Sequence, residues 1–307
     1  MSANFITGDN TCRVNATNRW HCNVYHSVRR DELQSKRENR TRRFDAVLSE
    51  PLDLALVALL AFLIPVVPLA NRVNLPFLTS DGGLLTYGKF AQGVTFGISL
   101  PSRLGMLLLY APAAAIAGFM LSGMSAPGSR QVLVAWMMVL MVVAHFGKRS
   151  LESLFLHKYS GSMPLASSGC ISFLYITESF ASVRYSGRVA AGSHAPWGLP
   201  VGLALFGVGL VGNFYHHYLL ATLRKPGEKE YKVPRGGCFE YVAAPHYFFE
   251  LLGWAGVSAV SQHAISAGFF AGMIVYLADR AVAQSEWNRL KLDNYPRARK
   301  HMVPFVF

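Results

Sequence analysis

Leu199-Pro200-Val201-Gly202-Leu203-Ala204-Leu205-Phe206-Gly207-Val208-Gly209-Leu210-Val211-Gly212-Asn213 decides the fold, because its glycines admit two readings. Gly207, Gly209 and Gly212 stand at the G-x-G-x-x-G spacing of a dinucleotide-binding turn, which would require a preceding strand and a βαβ unit. The run is instead apolar throughout, and with its flanks from 197 to 220 it reaches the roughly 20 residues that cross a bilayer core as a helix. In that setting glycines let helices approach closely, so they read as packing residues and the Rossmann reading is set aside.

Similar apolar stretches lie near 52 to 70, 104 to 122, 131 to 147, 165 to 183, 248 to 262 and 265 to 279. Only 15% of the 307 residues are charged and mean hydropathy is +0.28, against about 25% charged in ordinary globular chains. Backbone amides in lipid must be satisfied within the segment, and continuous apolar runs lack the alternation of a barrel strand. The expected fold is therefore all-α, a multi-pass membrane bundle of about seven transmembrane helices.

The net charge of +12 lies in loops between spans rather than on one soluble basic face, which argues against nucleic acid and for cytosolic loops of a membrane protein. Cys12, Cys22, Cys170 and Cys238 offer no close pair and no metal-ligand spacing, so neither a disulfide framework nor a metal is expected. Residues 1–50 form a polar, Arg-rich extension without an apolar signal core, read as disordered or targeting. Residues 51–307 form the transmembrane domain. With Lys148-Arg149, Arg224 to Arg235 and Arg289 to Lys300 on the cytosolic side, seven spans place the N-terminus on the opposite face. The sequons at Asn15 and Asn39 are usable only there. The segment from Asn71 to Arg103, with Pro76 and Gly82-Gly83, reads as a loop with turns.

Three clusters carry chemistry. In the first, Arg224, Lys225, Lys232 and Arg235 gather cations suited to phosphate oxygens, beside Asn213, whose amide suits a carboxamide. His216 and His217 are adjacent and point about 100° apart on a helix, so they are poor partners for one metal. In the second, His246 and Glu250 share a helix face with Tyr247 beside them, and Tyr247 carries a hydroxyl that can deliver a proton. In the third, Lys148 and Glu152 form an i,i+4 pair, leaving Arg149 to reach a phosphate or a carbonyl; Phe155, His157 and Met163-Pro164-Leu165 follow.

Together these clusters, and the ending Asp293-Asn294-Tyr295-Pro296 to Phe307, resemble the steroid 5α-reductase superfamily over about residues 85 to 307, most densely over 145–307. The resemblance implies a membrane enzyme that uses NADPH to reduce a carbon–carbon double bond conjugated to a carbonyl. Hydride goes to the β-carbon and a proton to the α-carbon, while a donor in a dry site stabilises the enolate oxygen. By position it implies cofactor contacts at Asn213, Arg224, Tyr231, Lys232, His246, Glu250, Arg280 and Asn288. His217 and Asn288 stand where steroid reductases carry an Asp and a Tyr. Tyr110 occupies the family's catalytic glutamate position and Phe146 its catalytic tyrosine position.

Those departures, and the run from Lys148-Arg149 to Met163-Pro164-Leu165, turn the expectation toward the enoyl-CoA reductase branch. The substrate is then a trans-2-enoyl-CoA of fatty-acid elongation, with Tyr247 as proton donor, Lys148 as electrostatic helper and Tyr110 as substitute donor. A steroid or polyprenol reductase is the alternative, and an inactive membrane scaffold a third reading. The expected partner is a lipid substrate, and the expected location is the endoplasmic reticulum or another organellar membrane.

Overall fold

The computed structural model describes residues 6–7, 10–11, 98–159, 161–186, 195–224, 228 and 230–307. The remainder of the 1–50 extension, its cysteines and sequons, the expected span at 52–70, the loop from Asn71 as far as residue 97 and Lys225 lie outside the described residues. Met1–Asp53 and Leu54–Phe307 are separate compact units. In the first, Ile6–Thr7 (β1) pairs antiparallel with Asn10–Thr11 (β2). Everything that follows concerns the second.

A short hairpin-like pairing organises its start. Ser99–Pro101 (β3) pairs antiparallel with Ser162–Pro164 (β4), which sets the beginnings of Ser102–Gly123 (α1) and Leu165–Ser186 (α3) side by side. Between them runs Arg130–Leu151 (α2), whose first turn is capped by Ser129 accepting from the Val132 N–H at 3.3 Å. Such a cap satisfies one of the orphan amides of a helix start. Helix α2 does not end at Leu151 but continues as a π-helical turn, Glu152–Leu156, closed by the His157 N–H donating to the Glu152 carbonyl at 2.8 Å. Single π-turns recur at functional sites because they rotate side chains out of the helical register.

Gly198–Thr222 (α4) and Pro245–Ser261 (α5) form the closest helix pair. A Cβ on Gly202 would stand 2.7 Å from the Gly256 carbonyl oxygen, and one on Gly209 would stand 2.6 Å from the Phe249 carbonyl oxygen. Gly212 faces the Phe249 ring in the same way, whereas Gly207 faces open space. The G-x-G-x-x-G run is thus a helix seam at Gly209 and Gly212, as the apolar context required, and Gly207 takes no part in it. Ala264–Lys291 (α6) follows after Gln262 ends α5 in the left-handed region.

All six apolar stretches within the described region are helical. Four helical segments among the described residues are long and apolar enough to cross a membrane: Ser102–Gly123, Arg130–Leu156, Gly198–Thr222 and Ile265–Lys291. The protein is a helical membrane protein, but four spans, not seven, meet that measure. Helix α5 has only 17 residues. Helix α3 has the length, yet its buried Ser167, Ser168, Ser172, Thr177, Glu178, Ser179 and Ser182 replace apolar residues on its inner side.

The core runs between α1, α2, α3, α5 and α6 and centres on an aromatic group. Phe146 is fully buried, with ring centroids of His145, Tyr175, Trp254 and Tyr110 4.9, 5.0, 6.0 and 6.4 Å away. Leu104, Phe119, Val208 and Val211 are exposed on the outer faces, where apolar side chains meet lipid rather than water.

Candidate active site

The chamber is assembled from the ends of α1, α2, α4, α5 and α6 and the segment after α4. That segment is held by the chain's own end. The Ala243 and Ala244 N–H groups donate to the carbonyls of Lys300 and His301 at 2.9 and 3.0 Å, and the buried Arg299 donates through Nη1 to the Pro234 carbonyl at 2.8 Å. The turn before it needs glycine: Gly236 and Gly237 have φ of +88° and +52°. A Cβ on Gly237 would also lie 2.8 Å from His216 Nε2. That nitrogen accepts from the Cys238 N–H at 3.1 Å while Nδ1 donates to the Gly212 carbonyl at 2.7 Å. The Glu240 carboxylate accepts from the Gly236 N–H at 2.7 Å. That bond, with help from Arg299 and Arg235, holds its pKa below the ordinary carboxylate value.

Within this frame lies a cavity of about 360 Å³, within the range of ordinary ligand sites. Of the residues expected from sequence, Tyr110, Arg224, Tyr231, Lys232, His246, Tyr247, Glu250, Arg280 and Asn288 all line it. So do Arg149, His157, Lys158, His217, Gln284 and Trp287. Among the described lining residues five are arginines or lysines, Arg149, Lys158, Arg224, Lys232 and Arg280, and one carries a carboxyl group, Glu250. That balance suits a polyanionic ligand. The Arg224 guanidinium lies 5.6 Å from the Tyr231 ring centre, Tyr231 meets Trp287 edge to face at 4.7 Å, and Lys158 Nζ donates to the Arg224 carbonyl at 2.5 Å. Cations, aromatic faces and amides converging on one cavity fit a phosphorylated nicotinamide dinucleotide, and the described residues form no Rossmann sheet.

Two expected residues are placed differently. Lys148 and Asn213 do not line the chamber but a small void behind it, shared with Glu250. The Lys148 ammonium donates to Asn213 Oδ1 and pairs with Glu152 Oε1 at 3.2 Å, and Asn213 Nδ2 donates to the His246 carbonyl at 2.9 Å. The fully buried amide of Asn213 therefore ties α2 to α4 and α4 to α5, and both residues act on the wall rather than at its surface.

Arg149, expected to be left to reach a phosphate or a carbonyl, lines the chamber and is held there by three side chains. Arg149 is 7% exposed; Nη1 donates to Glu152 Oε2 at 2.7 Å and lies 2.9 Å from His217 Nδ1, and Nη2 donates to Tyr110 Oη at 2.6 Å. Sequence spacing showed Lys148 and Glu152 as a pair beside Arg149; folding adds His217 and Tyr110, which come from two further helices. No local signal announces that, because the contacts span 39 and 68 residues of chain.

Glu152, His157 and His217 place three ligand atoms within 4.8 Å of one another, a set that by type would suit a transition metal. The Glu152 carboxylate already faces Arg149 on one oxygen and Lys148 on the other, and two cations in contact oppose a third. Burial, followed by the charge of Arg149, lowers the His157 pKa to about 4.

A family model described as 3-oxo-5-alpha-steroid 4-dehydrogenase matches residues 162–307. The chain is 32% identical over 228 residues to 3-oxo-5-alpha-steroid 4-dehydrogenase 1 of Bos taurus, covering 72% of this chain and 87% of the relative. It is 30% identical over 224 residues to the Homo sapiens protein of that name, covering 72% and 86%. A shorter stretch, 112 residues at 38% identity, is similar to steroid 5-alpha-reductase DET2 of Gossypium hirsutum, covering 36% and 43%. These similarities favour the steroid reading over the enoyl-CoA one, and they remove the ground for placing the chain in fatty-acid elongation.

Proposed function

Since the chain belongs to the steroid 5α-reductase superfamily, and is accordingly an oxidoreductase acting on a CH–CH group with NADP as acceptor, we propose that it reduces the double bond of a 3-oxo-Δ4 steroid or a closely related lipid enone with NADPH. The observation that carries this reading is the one chamber that gathers Tyr110, Arg224, Lys232, Tyr247, Glu250 and Arg280 from several helices and the segment after α4.

In this reading Arg224, Lys232 and Arg280 hold the phosphates, with Tyr231 and Asn288 beside them. Glu250 and His246 face the nicotinamide end, backed by Asn213. Bound NADPH supplies the hydride for the β-carbon. Tyr110 donates a hydrogen bond to the enone oxygen from the α1 side, and Tyr247 delivers the proton to the α-carbon and regains one from water. Tyr175 lines the chamber with the fully buried Phe146 ring packed behind it, and this aromatic wall keeps water from the reacting end, which strengthens every polar contact there. Phe146 carries no hydroxyl, so the oxygen loses the donor that a tyrosine would offer at that position.

The basic loops suit the cytosolic face of the endoplasmic reticulum membrane, and fractionation of tagged protein tests that location. The activity is tested by NADPH oxidation with purified protein against a 3-oxo-Δ4 steroid and a trans-2-enoyl-CoA. Turnover of the steroid with formation of its 5α-dihydro product is expected. Turnover of the thioester alone would overturn the substrate assignment, and none with either would overturn the reading.

A further inference from the structure

Lys148 lies behind the chamber wall, yet its bonds govern how one turn of that wall is held. The ammonium pairs with Glu152 Oε1 at 3.2 Å and donates to Asn213 Oδ1, and the buried Asn213 donates through Nδ2 to the His246 carbonyl at 2.9 Å. Both neighbours of the amide are one-way groups, since an ammonium has no acceptor and a carbonyl has no donor. Only one orientation of the Asn213 side chain satisfies them both. A buried acceptor stripped of its donor carries the full desolvation penalty, so without Lys148 the amide gains by rotating, and rotation gives up its bond to α5. That bond lands on the first turn of α5, which begins at Pro245 and places His246, Tyr247 and Glu250 in the chamber. Ala244, the N-cap, gives this turn no side-chain hydrogen bond. Neighbouring elements hold it instead, through the Ala244 N–H on the His301 carbonyl at 3.0 Å and through Asn213. Glu250 also lines the void that Lys148 and Asn213 share, so the network backs directly onto the site.

We propose that Lys148 is a positioning residue for the reduction: by fixing the Asn213 amide it sets the place of the first turn of α5, and with it the Tyr247 hydroxyl that delivers the proton. The inference rests on the reductase reading above. Lys148 itself meets neither substrate nor cofactor, because it lines the void behind the wall and not the chamber. Its influence travels through two hydrogen bonds whose directions are both determined, from α2 to α4 and from α4 to α5. Glu152 keeps the ammonium in place from the same helix, one turn further on. Proton delivery to carbon depends steeply on alignment, and a misplacement of about 1 Å transmitted from outside the site costs on the order of 10²-fold in rate. The phosphate contacts proposed for Arg224, Lys232 and Arg280 lie on other elements and do not pass through this network.

The test uses the full-length purified protein with NADPH and a 3-oxo-Δ4 steroid. Fluorotyrosine labelling gives a Tyr247 resonance, identified by its absence in Tyr247→Phe, that reports the position of the turn without any turnover. Lys148→Gln, whose amide both donates and accepts and so imposes no orientation on Asn213, is expected to lower kcat about 10- to 100-fold. It should shift the Tyr247 resonance and lower kcat far more than it weakens NADPH binding. Asn213→Leu should give the same loss and the same shift, and adding Lys148→Gln to it should cost nothing further, as expected of two residues acting in series. Wild-type kcat in folded Lys148→Gln, a loss of kcat with the Tyr247 resonance unmoved, or losses that multiply in the double variant overturn the proposal. If Lys148→Gln fails to fold, Lys148→Arg, again a donor without an acceptor, should keep the Tyr247 resonance and most of the turnover, and losing both overturns the proposal. A wild-type protein that turns over no steroid while Lys148→Gln still shifts the Tyr247 resonance overturns the reductase reading and leaves the role of Lys148 in placing the turn standing.

Discussion

Replacing each glycine of the run Gly207-Val208-Gly209-Leu210-Val211-Gly212 by alanine separates a helix seam from a phosphate-binding turn. At Gly209 the new methyl would meet the backbone of Phe249 and Gly253, standing 2.6 Å from the Phe249 oxygen where 3.4 Å is the start of ordinary contact. Backbone cannot rotate aside as a side chain can, and the tightest of these contacts, 2.3 Å to the Gly253 nitrogen, falls 1.1 Å short of that 3.4 Å, so α4 and α5 must part by up to that difference. Overpacking of this kind costs about 1–3 kcal/mol, and a clash with backbone on both sides belongs at the upper end. Alanine returns about 1 kcal/mol of helix propensity, leaving a net loss of about 2 kcal/mol at Gly209. At Gly207 nothing lies within 4 Å, so only the propensity gain remains and the two variants should differ by about 3 kcal/mol.

The consequence reaches the site, because Asn213 lies one turn beyond Gly209 and its 2.9 Å bond to the His246 carbonyl crosses the same seam. Thermal unfolding of the purified variants, each with and without a series of NADPH concentrations, reads both effects through ligand-linked stabilisation. Gly209→Ala should unfold earlier and bind NADPH more weakly, while Gly207→Ala should match or exceed the wild type in both. A Gly209→Ala protein of wild-type stability would refute the seam, and a Gly207→Ala protein that folds but loses NADPH would revive the dinucleotide-turn reading.

Other outcomes follow from the chamber. Arg224→Gln and Lys232→Ala should each raise the NADPH Kd about 10- to 100-fold, as expected for charge-assisted contacts of about 1.5–3 kcal/mol; titration by fluorescence checks this, and unchanged affinity in both removes them from the phosphate site. Tyr247→Phe should abolish most turnover while NADPH binding persists, so full turnover in that variant dismisses the proton donor. His157 titrates near 4 when folded against 6.5 when unfolded, so the unfolded chain takes up the proton first and stability falls as pH drops from 6.5 toward 4. His157→Phe should flatten that part of the stability profile in unfolding measurements across the range. The same decline with and without the histidine would assign it to other groups.

The amount of this protein legible from sequence differs between its elements. Hydropathy located every helix in the described region, because burial in lipid imposes one secondary structure on any long apolar run. The expected count of about seven spans is not reached among the described residues, where four helices have the length and composition: α5 is short and the inner face of α3 is lined with hydroxyls. The site residues on α5, Tyr247 and Glu250, were legible because i,i+3 and i,i+4 spacing puts them at one helix end. Lys148 was expected within the enoyl-CoA reading as an electrostatic helper; adjacent residues on a helix face about 100° apart, so Arg149 lines the chamber while Lys148 lies behind it against Asn213 and Glu152.

The amino-acid order alone determined a helical membrane protein with cations and amides concentrated at helix ends, since those properties depend on composition and on spacings of a few residues. Which polar group meets which was decided only when the helices packed. Tyr110, Arg149 and His217 come from three helices, and their 2.6 and 2.9 Å contacts depend on how α1 and α4 pack on α2. Contact at that distance is a property of rigid bodies in three dimensions, and no local pattern along the chain encodes it.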